Sequence, residues 1–246
     1  MARNATKDFR VGTGWPRICS NPSATGLRVN KKLINSLAGA VIVAAVVWLY
    51  LFFNPRPPAI DRSLHEKVGE VLATEAIKLL EPGARLTVIA RAKEPFRVPA
   101  AAAQLDAFLR AIEKSGKNVT TTRLLKVDPL RVASVPHGDF FDLMRRAGSN
   151  DVIVSFLGPP LINDEELGRL AGKRPRILAL CSGAMPLQVD LRKMFERQLL
   201  LAAVISRTNA PAQSTAGSAQ AAFDQMFQVI TPANVSELPP LADARH

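Results

Sequence analysis

The sequence predicts an α/β protein with a single N-terminal transmembrane helix followed by a three-layer αβα domain, whose mostly parallel sheet has five or six strands. Two observations favour this class. The run Leu37–Phe53 contains 17 uncharged residues, close to the about 20 that a helix needs to cross a bilayer. Beyond it, short apolar runs alternate with amphipathic stretches, which is typical of strands buried on both faces and the helices that connect them.

Residues 1–32 are expected to form a basic, largely disordered cytoplasmic tail. Residues 1–35 hold seven of the 32 lysines and arginines and one acidic residue, which leaves 25 basic and 20 acidic residues for 54–246. Positive charge beside an apolar run is the usual topology signal of a membrane protein, whereas a nucleic-acid-binding protein concentrates it on the folded domain. The net charge of +11 therefore indicates the lipid bilayer as a partner and argues against nucleic acid.

The transmembrane helix is predicted over residues 33–53. Lys31 and Lys32 precede it and orient it with the N-terminus inside, while Trp48 and Tyr50 lie near its far end, where aromatic rings favour the interface. The chain is thus expected to be a single-pass protein of the cytoplasmic (inner) membrane, with its C-terminal domain in the periplasm.

Two alternatives to a retained anchor remain open, namely a cleaved signal peptide and a buried core helix. A signal peptide has a short basic start, an apolar run of about 7–15 residues and a small-x-small cleavage site. Here the lead-in is long, and the sequence FFNPRPPAI contains no such site. Residues 54–62 are interpreted instead as a stiff, proline-rich spacer.

The α/β domain is predicted over residues 63–206. Ser63 and Glu66 match a capping box that begins its first helix, and Pro82-Gly83 ends that helix. Later helices are expected to begin at Pro99, at Gly138, after the capping residue Asn163 and at Leu191. Strands are predicted at residues 85–91, 119–127, 151–158, 176–183 and 199–206.

The segment 207–246 is predicted to lie outside this domain. Small polar residues at 208–220 indicate a linker. Residues 221–234 suit a short helix and a small sixth strand, and the proline-rich end is expected to be loose.

Ligands of open parallel sheets bind beyond the carboxyl ends of the strands. The residues at those positions are the candidate ligand-binding set: Arg91, Lys93, Asp128, Gly158, Ser182 and Gly183. The backbone N–H groups of Ser182 and Gly183, together with Arg91 or Lys93, could hold an anion. The alternative is that these are ordinary loops of a scaffold that binds nothing small.

Cys181 ends a predicted strand, and His137 could reach the same edge of the sheet, which suits a thiol nucleophile. A buried free cysteine that packs as a small hydrophobic residue explains the same position. The chain has no glycine-rich phosphate signature, and its three histidines are scattered. No cofactor and no metal site is therefore predicted.

The succession of elements over residues 84–231 resembles a single periplasmic-binding-protein-like or flavodoxin-like α/β lobe, through the order of its strands and helices. Three functions are compatible with the sequence. The first is an accessory or scaffolding subunit that binds other subunits of a membrane protein assembly. The second is an extracytoplasmic domain that binds a small ligand or acts as a sensor, and the third is a thiol-dependent enzyme.

Overall fold

The computed structural model divides the chain into two compact units, Met1–Arg56 and Pro57–His246. It describes residues 31–53, 60–92, 98–127, 134–170, 172 and 174–241, without the side chains of residues 31–34 and 137. Residues 1–30 of the predicted tail, residues 54–59 of the predicted spacer and the side chains of Lys31 and Lys32 lie outside the described residues.

The described residues of the first unit form one helix, α1 (Lys31–Phe53). Its stretch Asn35–Phe53 has a mean hydropathy of 2.3 and is nowhere buried in the structure. Trp48 and Tyr50 are exposed to 64% and 66%. This helix is long and apolar enough to cross a membrane, and its full exposure is unlike that of the core helix of a soluble protein.

The second unit begins with α2 (Arg62–Leu79), and its cap differs from the predicted capping box. The N-cap residue is Asp61, whose carboxylate accepts the backbone N–H of Leu64 at 3.2 Å. The hydroxyl of Ser63 donates to that carboxylate, and Glu66 pairs with Arg62. Ser63 is therefore not the cap, because the acceptor preceding it already holds the first turn.

A six-stranded sheet forms the centre of the second unit, in the order β2-β1-β3-β4-β5-β6. Its first five strands are parallel, and β6 pairs antiparallel with β5. The strands are β1 (Leu86–Arg91), β2 (Thr121–Leu125), β3 (Val152–Ser155), β4 (Arg176–Cys181), β5 (Ala202–Ser206) and β6 (Phe227–Ile230). The helices that follow α2 are α3 (Pro99–Lys114), α4 (His137–Arg146), α5 (Asp164–Arg169), α6 (Met185–Gln188), α7 (Leu191–Glu196) and α8 (Ala219–Met226), before a 3₁₀ turn at Val235–Glu237.

Two hydrophobic clusters cover the two faces of the sheet, because side chains alternate along each strand. Val88 and Val154 belong to the cluster that includes α2, α3 and α8. Ile89 and Ile153 belong to the opposite cluster, which includes residues of α4 and α7. The predicted three-layer αβα class with a mostly parallel sheet is confirmed.

The strand β2 differs from its neighbours because it lies at the edge of the sheet. Thr121, Thr122, Arg123 and Leu124 are all exposed, whereas β3 is buried along its whole length. A threonine-rich segment suits an extended edge strand. Only Leu125, its last residue, packs against the core, on the cluster that contains Ile89.

The packed core extends beyond the expected boundary at residue 206. Phe223 of α8 and Phe227 of β6 are buried against α2, α3 and the sheet. Leu238, within the segment expected to be loose, is buried in the opposite cluster. Antiparallel pairing of β6 with β5 is what brings these residues back onto the sheet.

Candidate functional site

The carboxyl ends of the parallel strands form the candidate site. Strand β1 ends at Arg91, β3 at Ser155, β4 at Cys181 and β5 at Ser206. The strand order reverses between β1 and β3, since β2 lies on one side of β1 and β3 on the other. Such a switch point leaves a crevice beyond the strand ends, where ligands of open α/β sheets bind.

Arg91 is the cation at this switch point. It is the last residue of β1, pairs in register with Leu125 of β2 and is half-buried. Its guanidinium has no hydrogen bond or ion pair with the described part of the chain. Most other described arginines have one: Arg85 pairs with Asp151 and Arg176 with Glu81. A half-buried cation without a partner is suited to bind an anion.

The turn after β3 is closely packed. The hydroxyl oxygen of Ser155, which is fully buried, accepts the backbone N–H of Leu157 at 3.2 Å. Gly158 follows with a φ of +93°, which favours glycine. Gly158 is itself buried, so its contribution to the site is to shape the loop beside Arg91.

The turn after β4 does not offer the anion donor expected there. Ser182 and Gly183 are exposed, but the N–H of Gly183 donates to the hydroxyl of Ser206 at 3.0 Å. Sequence reasoning missed this bond because Ser206 lies 23 residues away and meets Gly183 only through the pairing of β4 with β5. Of the predicted anion-binding groups, Arg91 and Ser182 remain available.

Cys181 is completely buried, and burial raises the pKa of its thiol to about 12. At neutral pH the thiolate fraction is therefore negligible, and the thiolate is the nucleophilic form. The side chain packs with Ile177, Ile205 and other apolar residues. This environment supports a structural role for Cys181 and disfavours the thiol-dependent enzyme. The side chain of His137, its expected partner, lies outside the described residues.

Lys93 and Asp128, the other two predicted site residues, also lie outside the described residues. Within the described ranges, no group of three or more His, Cys, Asp or Glu is placed to hold a metal ion. The structure thus brings Arg91, Gly158, Ser182 and Gly183 to one edge of the sheet.

A second surface feature is a groove between β2 and α4. It has a volume of about 150 Å³ and combines apolar and charged side chains of both signs: Arg123, Leu125, Asp139, Asp142, Leu143 and Arg146. Sequence reasoning missed it, because the position of β2 at the edge of the sheet depends on the strand order.

These features define an α/β domain with a doubly wound sheet, whose strand order reverses at the β1/β3 switch point. No protein family model matches the chain, and no curated protein matches it.

Several solved structures are similar to this chain at low identity. The arabinose-binding protein AraP from Geobacillus stearothermophilus is 14% identical, with a TM-score of 0.46 over 71% of this chain and 63% of that one. A solute-binding protein from Burkholderia graminis, in complex with D-arabinose, is 16% identical, with a TM-score of 0.47 over 70% and 61%. A sugar-binding protein from Bacillus halodurans is 12% identical, with a TM-score of 0.44 over 71% and 64%.

The chain spans less than two thirds of the length of each of these proteins. The predicted resemblance to a periplasmic-binding-protein-like lobe is confirmed as a weak resemblance of fold.

Proposed function

We propose that this chain is a membrane-anchored extracytoplasmic domain that binds a small anionic ligand at the β1/β3 switch point. The observation that carries the proposal is Arg91, a half-buried residue whose guanidinium has no partner among the described residues. Desolvating a cation without an opposing charge is costly, and a carboxylate or phosphate can offset that cost through paired hydrogen bonds. The exposed hydroxyl of Ser182, at the end of β4, is available as a second polar group at the same edge.

Ligand binding is tested by thermal unfolding of the full-length protein in detergent. A panel of small carboxylates, inorganic phosphate and sugar phosphates is compared with neutral D-arabinose. At least one anion is expected to raise the melting temperature of the wild-type protein, because a ligand that binds only the folded state stabilises it by mass action. The substitution Arg91→Gln is expected to abolish that rise.

Arg192→Gln is the matched control, since Arg192 is an exposed arginine of α7 with no charged partner in the described part of the structure. This substitution also removes one positive charge, but at a position away from the switch point. It should leave the rise in melting temperature unchanged. The anion proposal is wrong if Arg91→Gln and Arg192→Gln respond alike, or if D-arabinose alone stabilises the protein.

Localisation is part of the same proposal. The helix α1 would be retained as a single-pass anchor of the cytoplasmic membrane, with the α/β domain in the periplasm. The exposed apolar surface of α1 and the basic residues that precede it support this topology.

A reporter enzyme that is active only outside the cytoplasm tests this topology. Fused after His246 it is expected to be active, and fused to the N-terminus it is expected to be inactive. The fusion protein should also stay in the membrane fraction at its full mass after an alkaline wash. Release of a shortened, soluble form would indicate a cleaved signal peptide instead of an anchor.

A second candidate function, an accessory or scaffolding subunit of a membrane protein assembly, is favoured by the outer edge of β2, which pairs with no second described strand. An exposed strand with free backbone groups is a site for strand addition by another chain. This candidate requires that a different polypeptide stays bound to the full-length protein, at a fixed ratio, in mild detergent.

A further inference from the structure

The outer edge of β2 carries few of the features that usually prevent edge strands from pairing. Its hydrogen-bonded neighbour among the described strands is β1. The five residues Thr121–Leu125 include neither proline nor lysine, the residues that commonly block an edge. The side chain of Leu124 is 53% exposed. This edge is therefore competent to add a further strand.

The charges beside this edge differ in sign between the two ends of β2. The helix α4 runs from the carboxyl edge of the sheet to the amino edge, where Arg85 donates to the carbonyl of Arg146 at 3.2 Å. Within the groove, the acidic residues Asp139 and Asp142 thus lie toward the carboxyl end of β2, and Arg146 lies toward its amino end. Because Arg145 pairs with Asp142 at 3.3 Å, the net negative charge at the carboxyl end comes from Asp139.

This polarity makes the surface complementary to a second copy of itself. If two β2 strands pair antiparallel, the acidic end of each groove faces the basic end of the other. Parallel pairing would place like charges together, which is unfavourable. Self-complementarity of one patch about a two-fold axis is the property of an isologous dimer interface.

In one continuous sheet, corresponding faces of the two copies must lie on the same side. The registers that meet this condition place one residue of β2 on the two-fold axis, opposite its own copy. Centred on Arg123, the pairing would bring two guanidinium groups together. Centred on Thr122, it would bring Arg123 toward the partner's Arg146. Centred on Leu124, it brings Arg123 toward the partner's Asp139 and Asp142, and it packs the two exposed Leu124 side chains against each other.

We infer that the chain forms a two-fold homodimer through antiparallel pairing of its β2 strands, centred on Leu124. In this dimer a two-fold axis perpendicular to the sheet keeps corresponding faces together, so α2 lies on the same face in both copies. Confinement to a membrane also raises the effective concentration for such pairing. This inference does not depend on the ligand proposal.

Disulfide trapping in full-length protein tests the register. In a Cys19→Ser background, the variant Leu124→Cys is expected to form a covalent dimer under mild oxidation, since the two residues on the axis lie within disulfide range. The matched variant Thr122→Cys is equally exposed, but its two copies lie four positions apart across the axis, about 13 Å, and should not crosslink. The buried Cys181 stays in place in both variants.

Charge exchange provides the second test. Arg123→Asp is expected to reduce dimerisation by about tenfold or more, because it replaces an attraction to the partner's Asp139 with a repulsion. Asp139→Arg should do the same, and the double variant R123D/D139R should restore the dimer. Unchanged circular dichroism would show that the single variants still fold.

The homodimer is overturned by any of three results. The first is a wild-type chain that is monomeric in detergent and at the membrane, with no crosslink through Leu124→Cys. The second is efficient crosslinking of Thr122→Cys instead. The third is crosslinking of Leu124→Cys to a different polypeptide, which would assign the β2 edge to the accessory-subunit function.

Discussion

Replacing Gly69 by alanine is expected to destabilise the domain by about 3 kcal/mol, the upper end of the range for overpacked cores. Gly69 lies in α2 where that helix crosses α3. A Cβ at this position would lie 2.1 Å from the carbonyl oxygen of Gln104 and 3.0 Å from the backbone nitrogen of Phe108. Because both neighbours are helix backbone, α3 must move away from α2 as a whole.

The consequences of that movement extend beyond one contact. Phe108 is fully buried at the same crossing, and the amide nitrogen of Gln104 lies 3.2 Å from Nδ1 of His65, one turn before Gly69. Separating the helices would loosen both contacts. The loss is measured as a lower midpoint of guanidinium unfolding of the full-length protein in detergent, followed by far-ultraviolet circular dichroism.

Gly168→Ala is the matched control. Gly168 lies in α5 with no atom within 4 Å of the added methyl group, so alanine should be neutral or stabilise the protein by about 0.5–1 kcal/mol through its better helix propensity. Equal midpoints for Gly69→Ala and Gly168→Ala would contradict this prediction. They would show that α2 and α3 are farther apart than the 2.1 Å between a Cβ at Gly69 and the carbonyl oxygen of Gln104 implies.

Asp151→Asn is expected to cost about 2 kcal/mol at neutral pH, since it weakens hydrogen bonds to a buried carboxylate. Asp151 is only 8% exposed and precedes β3. Its carboxylate accepts the backbone N–H of Arg85 at 3.0 Å and that of Gly148 at 2.7 Å, and it forms an ion pair with the guanidinium of Arg85 at 2.5 Å. These bonds join the start of β1 to the turn before β3.

The pH dependence of this effect follows from the pKa of Asp151. Burial acts to raise that pKa, but the hydrogen bonds from Arg85 and Gly148 outweigh it, and the pKa is lowered. A carboxyl with a lowered pKa stabilises the folded state fully above its unfolded value of about 3.9, and the stabilisation is lost as the pH falls through the folded value. The advantage of the wild-type protein over Asp151→Asn should therefore be constant near pH 7 and shrink below about pH 4.

Asp106→Asn controls for the charge change, because Asp106 is an exposed residue of α3. It should shift the unfolding midpoint little at any pH. A cost of Asp151→Asn that stayed the same down to pH 3 would show that the carboxylate does not supply the stabilisation.

Signals contained within a few residues of the chain predicted structure well. Asn163 caps α5, with Glu166 closing the capping box as a neighbour three positions away. Alternation of apolar runs and amphipathic stretches predicted the order of the main strands and helices, because each type of element has its own period of burial. The same reasoning failed at Ser63. Asp61 and Ser63 could each accept the hydrogen bond that caps α2, and only the folded chain shows that Asp61 accepts it.

The sequence predicted in part where the candidate residues lie, and their binding of a ligand stays a prediction. Arg91, Ser182 and Gly183 were recognised because residues after parallel strands converge on one edge. That the N–H of Gly183 is already bonded to Ser206 could not be predicted, because this pair forms only once β5 is placed beside β4. The special position of Arg91 likewise depends on β1 and β3 being neighbours at the switch point.

By itself, the sequence determined that an apolar helix precedes an α/β domain and which segments become its strands and helices. These properties follow from hydrophobic periodicity and from caps that involve neighbouring residues. Only the tertiary structure decided the strand order, and with it the exposed β2 edge, the groove beside α4 and the pairing of Arg85 with Asp151 across 66 residues. Strand neighbours are selected by the packing of whole layers against one another, and no local pattern in the chain encodes that choice.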